Sequence, residues 1–212
     1  MTQSGVVHVA ADLAGVVRPG AFTADGVSVV DRDARLDAPL RVAAARMRTA
    51  PESADITAAV RTLYKRVGID PTKTRPSSEA LLRRVRRGDE LPRINSLVDI
   101  INWCSLETQL PFGLYDLNQV RGAVTLRLGH PGEEYAGIRK DAVHVAGRLV
   151  LADEDGAFGN PTSDSARTMV TTGTTRALVV IFAPVSVGAA LTERTLAVTR
   201  QRIVEFCTAP AN

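Results

Sequence analysis

The chain has 212 residues, of which 45% are apolar, and a formal net charge of +3. This length and apolar content suffice to bury one hydrophobic core. The apolar runs are shorter than the ~20 residues of a membrane span, and the first segment does not have the character of a leader peptide. Both features exclude a membrane-anchored or secreted protein. We therefore expect a single cytoplasmic α+β domain.

The first 60 residues predict a layer of short elements beside the main core. Apolar stretches at residues 5–11 and 26–30 indicate strands, and the Pro-Gly pair at 19–20 indicates a turn between them. A weakly amphipathic helix follows at residues 41–49.

Three amphipathic helices are predicted next. They run from Ser53 to Gly68, from Ser77 to Gly88 and from Asn95 to Thr108. In the second helix, Ser77 is the expected N-cap and Glu79 meets the positive end of the helix dipole. In the third, Asp99 and Asn102 lie three residues apart, so we expect them to point together into a cavity.

The second half of the chain changes to a strand pattern. Strands are predicted at residues 124–128, 148–152 and 177–182, and a closing helix at 191–207. Residues 155–175 are rich in Gly, Pro, Ser and Thr and are predicted to form one long loop, of a length that compact domains usually reserve for function.

The sequence motifs do not indicate a metal site or a cofactor site. Cys104 and Cys207 lie far apart in apolar helical patterns, so we expect both to be reduced core thiols. His8, His130 and His144 lack the spacing of zinc ligands. The chain has no nucleophile elbow, P-loop, dinucleotide fingerprint or HExxH motif, and we expect neither a metal nor a cofactor.

A set of polar side chains remains as the candidate site. It consists of Arg93, Asn95, Asp99, Asn102, Tyr115, Ser163, Asp164, Ser165, Arg167 and Thr168. An aspartate can bind an ammonium group and an arginine a carboxylate or phosphate, so the set suits an amino acid or an aminoacyl ester. Two structural alternatives stay open, because Ser163 and Asp164 also suit a turn and Asp99 can simply pair with Arg93.

Four arginines form a basic run on the second helix. Arg83, Arg84, Arg86 and Arg87 are predicted to face outward. Such a run is suited to contact the phosphates of a nucleic acid, and a solvated helix face is the alternative. No aromatic residue is interleaved, which argues against stacking on single-stranded bases.

Several segments together resemble a known domain. RPSSEALLRRVRRG (75–88), RINSLVDIINWCSLETQLPFGLYD (93–116), VTLRLG (124–129), GEEYAGI (132–138) and GNPTSDSARTMVT (159–171) occur in the order of the aminoacyl-tRNA editing domain, also called the tRNA-binding B-three/B-four domain, of the phenylalanyl-tRNA synthetase β subunit. The resemblance is closest to free-standing relatives of that domain and spans residues 61–184. It implies an α+β fold with mixed or antiparallel sheets packed with helices around one polar pocket. Residues 1–60 then form an N-terminal layer and residues 185–212 a closing helix.

The resemblance also implies a chemistry. The synthetase domain hydrolyses tyrosine wrongly esterified to its tRNA and so acts as a second sieve. Asn102 matches an asparagine of the family's pocket, and Arg93 lies within one residue of an arginine at the pocket mouth. Gly113 stands where the family has a histidine, and Arg167 stands approximately where a glutamate recognises the tyrosine hydroxyl. Because that exchange reverses a charge, we do not expect tyrosine specificity here.

The leading hypothesis is a stand-alone module that binds the aminoacyl end of a tRNA and hydrolyses the ester of a mischarged species in trans. The expected roles are phosphate or carbonyl contact for Arg167 and Arg93, α-ammonium binding for Asp164 or Asp99, pocket shape for Asn102, and water or carbonyl positioning for Ser163 and Thr168. A non-catalytic binder of a free amino acid or related metabolite, and a tRNA-binding accessory protein, are the alternatives. We expect neither DNA nor a membrane as a partner.

Overall fold

Ten β-strands and five α-helices make up the part of the chain that the computed structural model describes, which is residues 6–51, 53–138 and 140–208. The helices are α1 (Asp37–Thr49), α2 (Ala54–Arg66), α3 (Ser77–Arg86), α4 (Ser96–Thr108) and α5 (Ala189–Cys207). The strands are β1 (His8–Val9), β2 (Gly20–Asp25), β3 (Phe112–Asp116), β4 (Thr125–Leu128), β5 (Glu134–Gly137), β6 (Lys140–His144), β7 (Leu149–Asp153), β8 (Gly156–Asn160), β9 (Ser163–Asp164) and β10 (Arg176–Ile181).

These strands form three sheets. β1, β4, β7, β8 and β9 lie side by side in that order, with β1 parallel to β4 and the other neighbours antiparallel. β10 lies between β2 and β3 in an antiparallel three-stranded sheet, and β5 pairs with β6. The predicted α+β fold with mixed and antiparallel sheets is confirmed.

The core is organised around β10 and α4. All residues from Ala177 to Ile181 are fully buried, and a strand covered on both faces has a continuous apolar sequence, which explains why it is predictable. α4 contacts α3, α5 and β3, so it connects the helices to the three-stranded sheet. In the described part of the chain, no helix has the length and apolar content needed to cross a membrane.

The helices agree well with the sequence pattern. The three helices predicted between residues 53 and 108 are confirmed, and α1 begins at Asp37, four residues before its predicted start. Asn95 caps α4 by accepting a hydrogen bond from the Val98 backbone N–H at 2.9 Å. The cap predicted at Ser77 is wrong, because Pro76 occupies the N-cap position of α3 and the Ser77 hydroxyl makes no capping bond.

The N-terminal segment is built into both larger sheets through β1 and β2. The strand predicted at residues 26–30 is wrong, and so is the turn predicted at 19–20, because β2 begins at Gly20. That glycine has a packing role. A Cβ there would lie 2.6 Å from the Thr192 side chain, so its absence lets α5 approach β2.

The long loop predicted at residues 155–175 is wrong over its first ten residues, which contain β8 and β9. The Asn160 carboxamide oxygen accepts hydrogen bonds from the backbone N–H groups of Thr162 at 2.8 Å and Ser163 at 2.9 Å. This Asx turn reverses the chain between the two strands. The small polar residues of the segment therefore serve tight turns rather than one extended loop.

Arg93 connects the N-terminal segment to the start of α4. Its Nε donates to the Asp99 carboxylate at 2.6 Å, and its other nitrogens donate to the Asp37 carboxylate and, at 2.9 Å, to the Asp33 carbonyl. The Asp99 side chain is completely buried and also accepts the Ile94 backbone N–H at 2.8 Å. The structural pairing of Asp99 with Arg93 is thus the alternative that the structure shows.

Replacement of Arg93 by alanine is expected to destabilise the fold strongly. The change leaves Asp99 buried without its cationic partner, and loss of one member of a buried ion pair costs about 3–5 kcal/mol. Arg32→Ala is the control, because Arg32 is largely exposed and its pair with Asp37 at 3.1 Å is worth about 0–1 kcal/mol. Urea unfolding of both variants measures the difference, and equal losses would contradict a structural role for the buried pair.

Candidate functional site

A cavity of about 360 Å³ opens beside the first half of α4. Its walls come from α3 and α4 on one side and from β3 and the β8–β9 turn on the other, with further residues from the segments at 138 and 169–170. Such a volume is in the range of small-molecule sites. The turn that carries Ser163 and Asp164 is held in place by α2, because the Tyr64 hydroxyl donates to the Pro161 carbonyl at 2.9 Å.

The lining is mainly apolar, with polar groups at defined points. Ten apolar residues, among them Leu81, Ile101 and Phe112, form most of the wall. The seven polar residues are Ser77, Asn102, Ser105, Asn160, Thr162, Ser163 and Asp164. The cavity therefore has a mainly apolar wall, and fewer polar residues line it than the ten that the sequence predicted for the site.

Three of the ten predicted site residues line this cavity. Asn102 is on α4, and Ser163 and Asp164 form β9. Two side chains three positions apart on a helix need not share a direction, and the expectation that Asp99 points into the cavity together with Asn102 is wrong. Asp99 faces Arg93 instead.

Arg93 and Asn95 also lie outside the cavity lining. The Arg93 guanidinium is held by carboxylates on its other side, and the Asn95 side chain is buried as the α4 cap, with its amide nitrogen 3.5 Å from the Val170 carbonyl. Both residues position the start of α4. Their predicted contact with a substrate stays a prediction.

Ser165, Arg167 and Thr168 follow β9 but turn away from the cavity. Arg167 pairs with the buried carboxylate of Asp153 at 2.9 and 3.0 Å and lies over the Phe158 ring, 5.7 Å from its centroid. Ser165 accepts the Arg167 backbone N–H at 3.0 Å, and Thr168 is fully buried beside the Phe158 carbonyl. These side chains brace the β8–β9 region, since a buried carboxylate on β7 needs a cationic partner.

Tyr115 lies directly behind Asp164. Its ring is fully buried and occupies the space that side chains at Gly113 and Gly159 would need: a Cβ at either position would lie 2.3 Å from a Tyr115 atom. The Phe158 ring packs edge-on against it with 5.0 Å between centroids. Gly113, which stands where the resembling family has a histidine, has no room for a side chain here because the Tyr115 ring fills that space.

Asp164 and Tyr115 place two unsatisfied polar atoms at this end of the cavity. Asp164 Oδ1 and the Tyr115 hydroxyl are buried, and neither makes a regular hydrogen bond to another described residue. Buried polar groups without partners are rare in folded proteins because each costs desolvation free energy. Asp164 thus places a buried carboxylate oxygen without a regular hydrogen bond next to the cavity.

Burial raises the pKa of the Asp164 carboxyl to about 7, and the neighbouring Tyr115 phenol acts in the opposite direction. Burial likewise raises the pKa of the Tyr115 phenol well above its ordinary value. Tyr135, whose pKa is also raised by burial, donates to the Ser163 carbonyl at 2.6 Å. Both phenols stay neutral, so Asp164 is the group of this cluster that changes charge near neutral pH.

Ser77 is a cavity residue that the sequence assigned to helix capping. Its hydroxyl is buried and unpartnered among the described residues, and it lies in the cavity wall opposite β9. Asn160 and Ser105, which also line the wall, use their side-chain oxygens in bonds to the β8–β9 turn and to the Leu110 carbonyl. Ser77 and Asp164 thus each place a buried polar atom without a hydrogen-bond partner among the described residues next to the cavity.

Two exposed apolar side chains form the lip of the cavity. Ile94 is 48% exposed and Met169 is 39% exposed, although both line the wall. Large apolar side chains that remain open to solvent at a cavity edge are typical of binding surfaces. The lip gives the opening an apolar border of two residues.

The basic run on α3 faces solvent as predicted. Its members Arg83, Arg84, Arg86 and Arg87 are all exposed. Arg86 donates to the Ala50 carbonyl at 3.0 Å, and Arg87 forms an exposed pair with Asp89 at 3.2 Å. Contact with a nucleic acid stays a prediction.

Cys104 and Cys207 are free and buried, as predicted. Burial raises the pKa of both thiols, which keeps them protonated. Within the described ranges, no group of three His, Cys, Asp or Glu side chains is arranged to hold a metal ion.

Comparison with protein families finds a match to the B3/4 domain over residues 59–202. The phenylalanine–tRNA ligase beta subunit of Leifsonia xyli subsp. xyli is 32% identical over 127 residues, which are 58% of this chain and 15% of that protein. The corresponding subunit of Ralstonia nicotianae is 33% identical over 75 residues, 35% of this chain and 9% of that protein. The chain thus spans a small part of the length of these relatives.

One solved structure is similar over most of this chain. It is an N-terminal fragment of the phenylalanyl-tRNA synthetase beta subunit from Pyrococcus horikoshii, with a TM-score of 0.48 and 13% sequence identity. The similarity covers 97% of this chain and 50% of that fragment.

Asp164 should give the stability of the ligand-free protein a measurable pH dependence. Its pKa is about 7 in the folded protein and 3.8 ordinarily, so the folded state keeps a proton that the unfolded state has lost. The resulting stabilisation is fully present below about pH 4 and is lost as the pH rises through about 7. Between about pH 5 and about pH 8, we expect wild type to lose roughly 2–3 kcal/mol relative to Asp164→Asn.

Urea unfolding across that pH range measures the effect. Asp12→Asn serves as a control, because Asp12 is exposed and far from the cavity in sequence, and its curve should run parallel to wild type. A parallel curve for Asp164→Asn would show instead that the carboxyl is solvated.

Proposed function

Because this chain belongs to the B3/4 domain family and is related to the phenylalanyl-tRNA synthetase beta subunit, we propose that it binds the aminoacyl end of a tRNA. In this proposal it hydrolyses the ester of a mischarged aminoacyl-tRNA in trans, as an editing module that acts on tRNA charged by another protein. The proposed substrate places it in the cytoplasm, where translation occurs. The reaction requires neither a metal nor a cofactor.

The observation that carries this proposal is the Asp164 carboxylate at the wall of a mainly apolar cavity, with its buried Oδ1 lacking a regular hydrogen bond to a described residue. An amino acid esterified through its carboxyl keeps one cation, the α-ammonium group, and one side chain. A buried carboxylate offers the ammonium a charge-assisted hydrogen bond, and an apolar wall accepts the side chain. The cavity volume of about 360 Å³ limits the ligand to roughly one amino acid.

The remaining polar groups suit the ester. We propose that the Ser77 hydroxyl donates to the ester carbonyl and that Asn102 and the Ser163 segment orient the attacking water. These three groups come from α3, α4 and β9 and converge on one space, so their positions are fixed by the fold before the ligand arrives. Such preorganised donors stabilise negative charge as it develops on the carbonyl oxygen.

The chemistry needs no enzyme nucleophile. Water adds to the carbonyl carbon, the C–O bond to the ribose breaks, and the ribose hydroxyl leaves with a proton, giving a free amino acid and an uncharged tRNA. An aminoacyl ester is already activated, so alignment of water with the ester supplies much of the acceleration. The proposal therefore assigns positioning roles to Ser77, Asn102 and Ser163 and a binding role to Asp164.

The side-chain preference is proposed to be apolar. Leu81, Ile101 and Phe112 form the body of the cavity, and Arg167, the residue expected to reverse the family's charge, lies elsewhere in an ion pair with Asp153. The specificity therefore depends on the volume that these apolar residues enclose. One methylene more or less in such a pocket changes the binding free energy by roughly 1–3 kcal/mol.

Deacylation of a panel of correctly and wrongly charged tRNAs tests the proposal. We expect selective hydrolysis of one mischarged species, with kcat/KM reduced about 10–100-fold in Asp164→Asn, because a hydrogen bond to a charged group is worth about 1.5–3 kcal/mol. Asn102→Ala should reduce the rate as well. Asp12→Asn is the matched control and should match wild type.

The pH profile gives a second readout of the same experiment. The ammonium binds the ionised carboxylate, so kcat/KM should rise from about pH 6 to about pH 7.5 in wild type and stay flat in Asp164→Asn after subtraction of spontaneous hydrolysis. Rates equal to spontaneous hydrolysis across the panel, combined with thermal stabilisation by a free amino acid, would instead identify a non-catalytic binder.

A further inference from the structure

A second cavity, of about 400 Å³, lies on the other side of the segment that contributes Ile94 to the lip of the first cavity. Ile94 lines the first cavity and Arg93, the residue before it, lines the second. Consecutive Cα atoms lie about 3.8 Å apart, so the two openings are neighbours on the surface.

One face of α1 forms a wall of the second cavity. Asp37, Arg41, Ala44 and Arg48 recur at helical spacing on that face, opposite the connection between α3 and α4. The small side chain of Ala44 leaves room between the two arginines and the opposite wall. The result is a concave surface rather than a flat helix face.

The second cavity is basic. Its charged lining residues are four arginines, Arg32, Arg41, Arg48 and Arg93, and two carboxylates, Asp37 and Glu90. Clefts lined by an excess of one charge concentrate ions of the opposite charge. An anion with more than one negative charge is the ligand class that this lining favours.

Arg41 and Arg48 have donors free for a ligand, whereas Arg93 and Arg32 both pair with Asp37. In contrast, Arg41 makes neither an ion pair nor a hydrogen bond within the described part of the chain, and Arg48 uses its Nε for the Val85 carbonyl at 3.0 Å. That bond orients the Arg48 guanidinium while leaving its terminal nitrogens to bind an anion, and guanidinium groups fit phosphate oxygens well.

We infer that this cavity binds phosphodiester groups of the nucleotides that precede the esterified terminal nucleoside. The assignment deepens the proposed function and rests on it for the identity of the ligand. The aminoacyl group then lies in the first cavity, the terminal base contacts the apolar lip of Ile94 and Met169, and the phosphates reach Arg41 and Arg48. The arginines of α3 continue the basic surface, because Arg86 bonds the carbonyl of Ala50 just beyond α1.

Binding of the trinucleotide CpCpA, measured by calorimetry over a range of salt concentrations, tests the inference without any ester. Arg41→Gln should weaken CpCpA binding at least several-fold and reduce the salt slope by about 0.7, the value for one phosphate contact on a single strand. Glu90→Gln should strengthen binding, since it removes a carboxylate from the lining. Arg194→Gln, an exposed arginine on α5, is the matched control and should leave affinity unchanged.

Two further probes separate the outcomes. Adenosine, which lacks phosphate, should bind equally to wild type and to Arg41→Gln, and inorganic pyrophosphate should bind more weakly than CpCpA. If Arg41→Gln and Arg194→Gln bind CpCpA alike, or if pyrophosphate binds as tightly as CpCpA, the assignment to nucleotide phosphates is overturned. CpCpA binding that depends on Arg41 in a protein without deacylase activity would support the phosphate site while rejecting the proposed reaction.

Discussion

The buried ion pair of Asp99 with Arg93 fixes the geometry on which both cavities depend. A carboxylate with no exposed surface requires a cation and hydrogen bonds, and Asp99 obtains them from Arg93 and from the backbone of Ile94. The constraint holds residues 93 and 94 against the first turn of α4. Since Ile94 borders one cavity and Arg93 the other, the same contact sets the wall that separates them.

At the end of the first cavity where Asp164 and Tyr115 lie, buried polar atoms instead lack regular hydrogen-bond partners. Tyr115 occupies the space that side chains at Gly113 and Gly159 would need, and its hydroxyl and Asp164 Oδ1 are both buried without a regular hydrogen bond. Desolvation of these groups opposes folding, so the surrounding packing must compensate for it. In Asp99, by contrast, the carboxylate has an ion pair and a backbone hydrogen bond and holds the fold together.

The sequence predicted the helices better than the strands. It indicated which residue types belong to the site better than the direction in which each side chain points. α2, α3 and α4 have a clear apolar period, whereas β8 has a glycine at position 159 because the Tyr115 ring occupies the space of a side chain there, a contact that no local pattern reveals. Asn102, Ser163 and Asp164 line the cavity, and their contact with a substrate stays a prediction. Arg167 does not line it, because it pairs with Asp153, which is 14 residues away on β7, and no local pattern reveals a pairing at that distance.

α1 lies outside the region that matches the B3/4 domain, which begins at residue 59, yet it forms one wall of the second cavity. The second cavity therefore combines a wall from outside the matched region with residues 88–93 from inside it. Substitutions on the open face of α1 can change the charge and shape of the second cavity while α4, β3 and β9 keep the first one intact. The lining of one cavity can thus change while the other keeps its shape within a single fold.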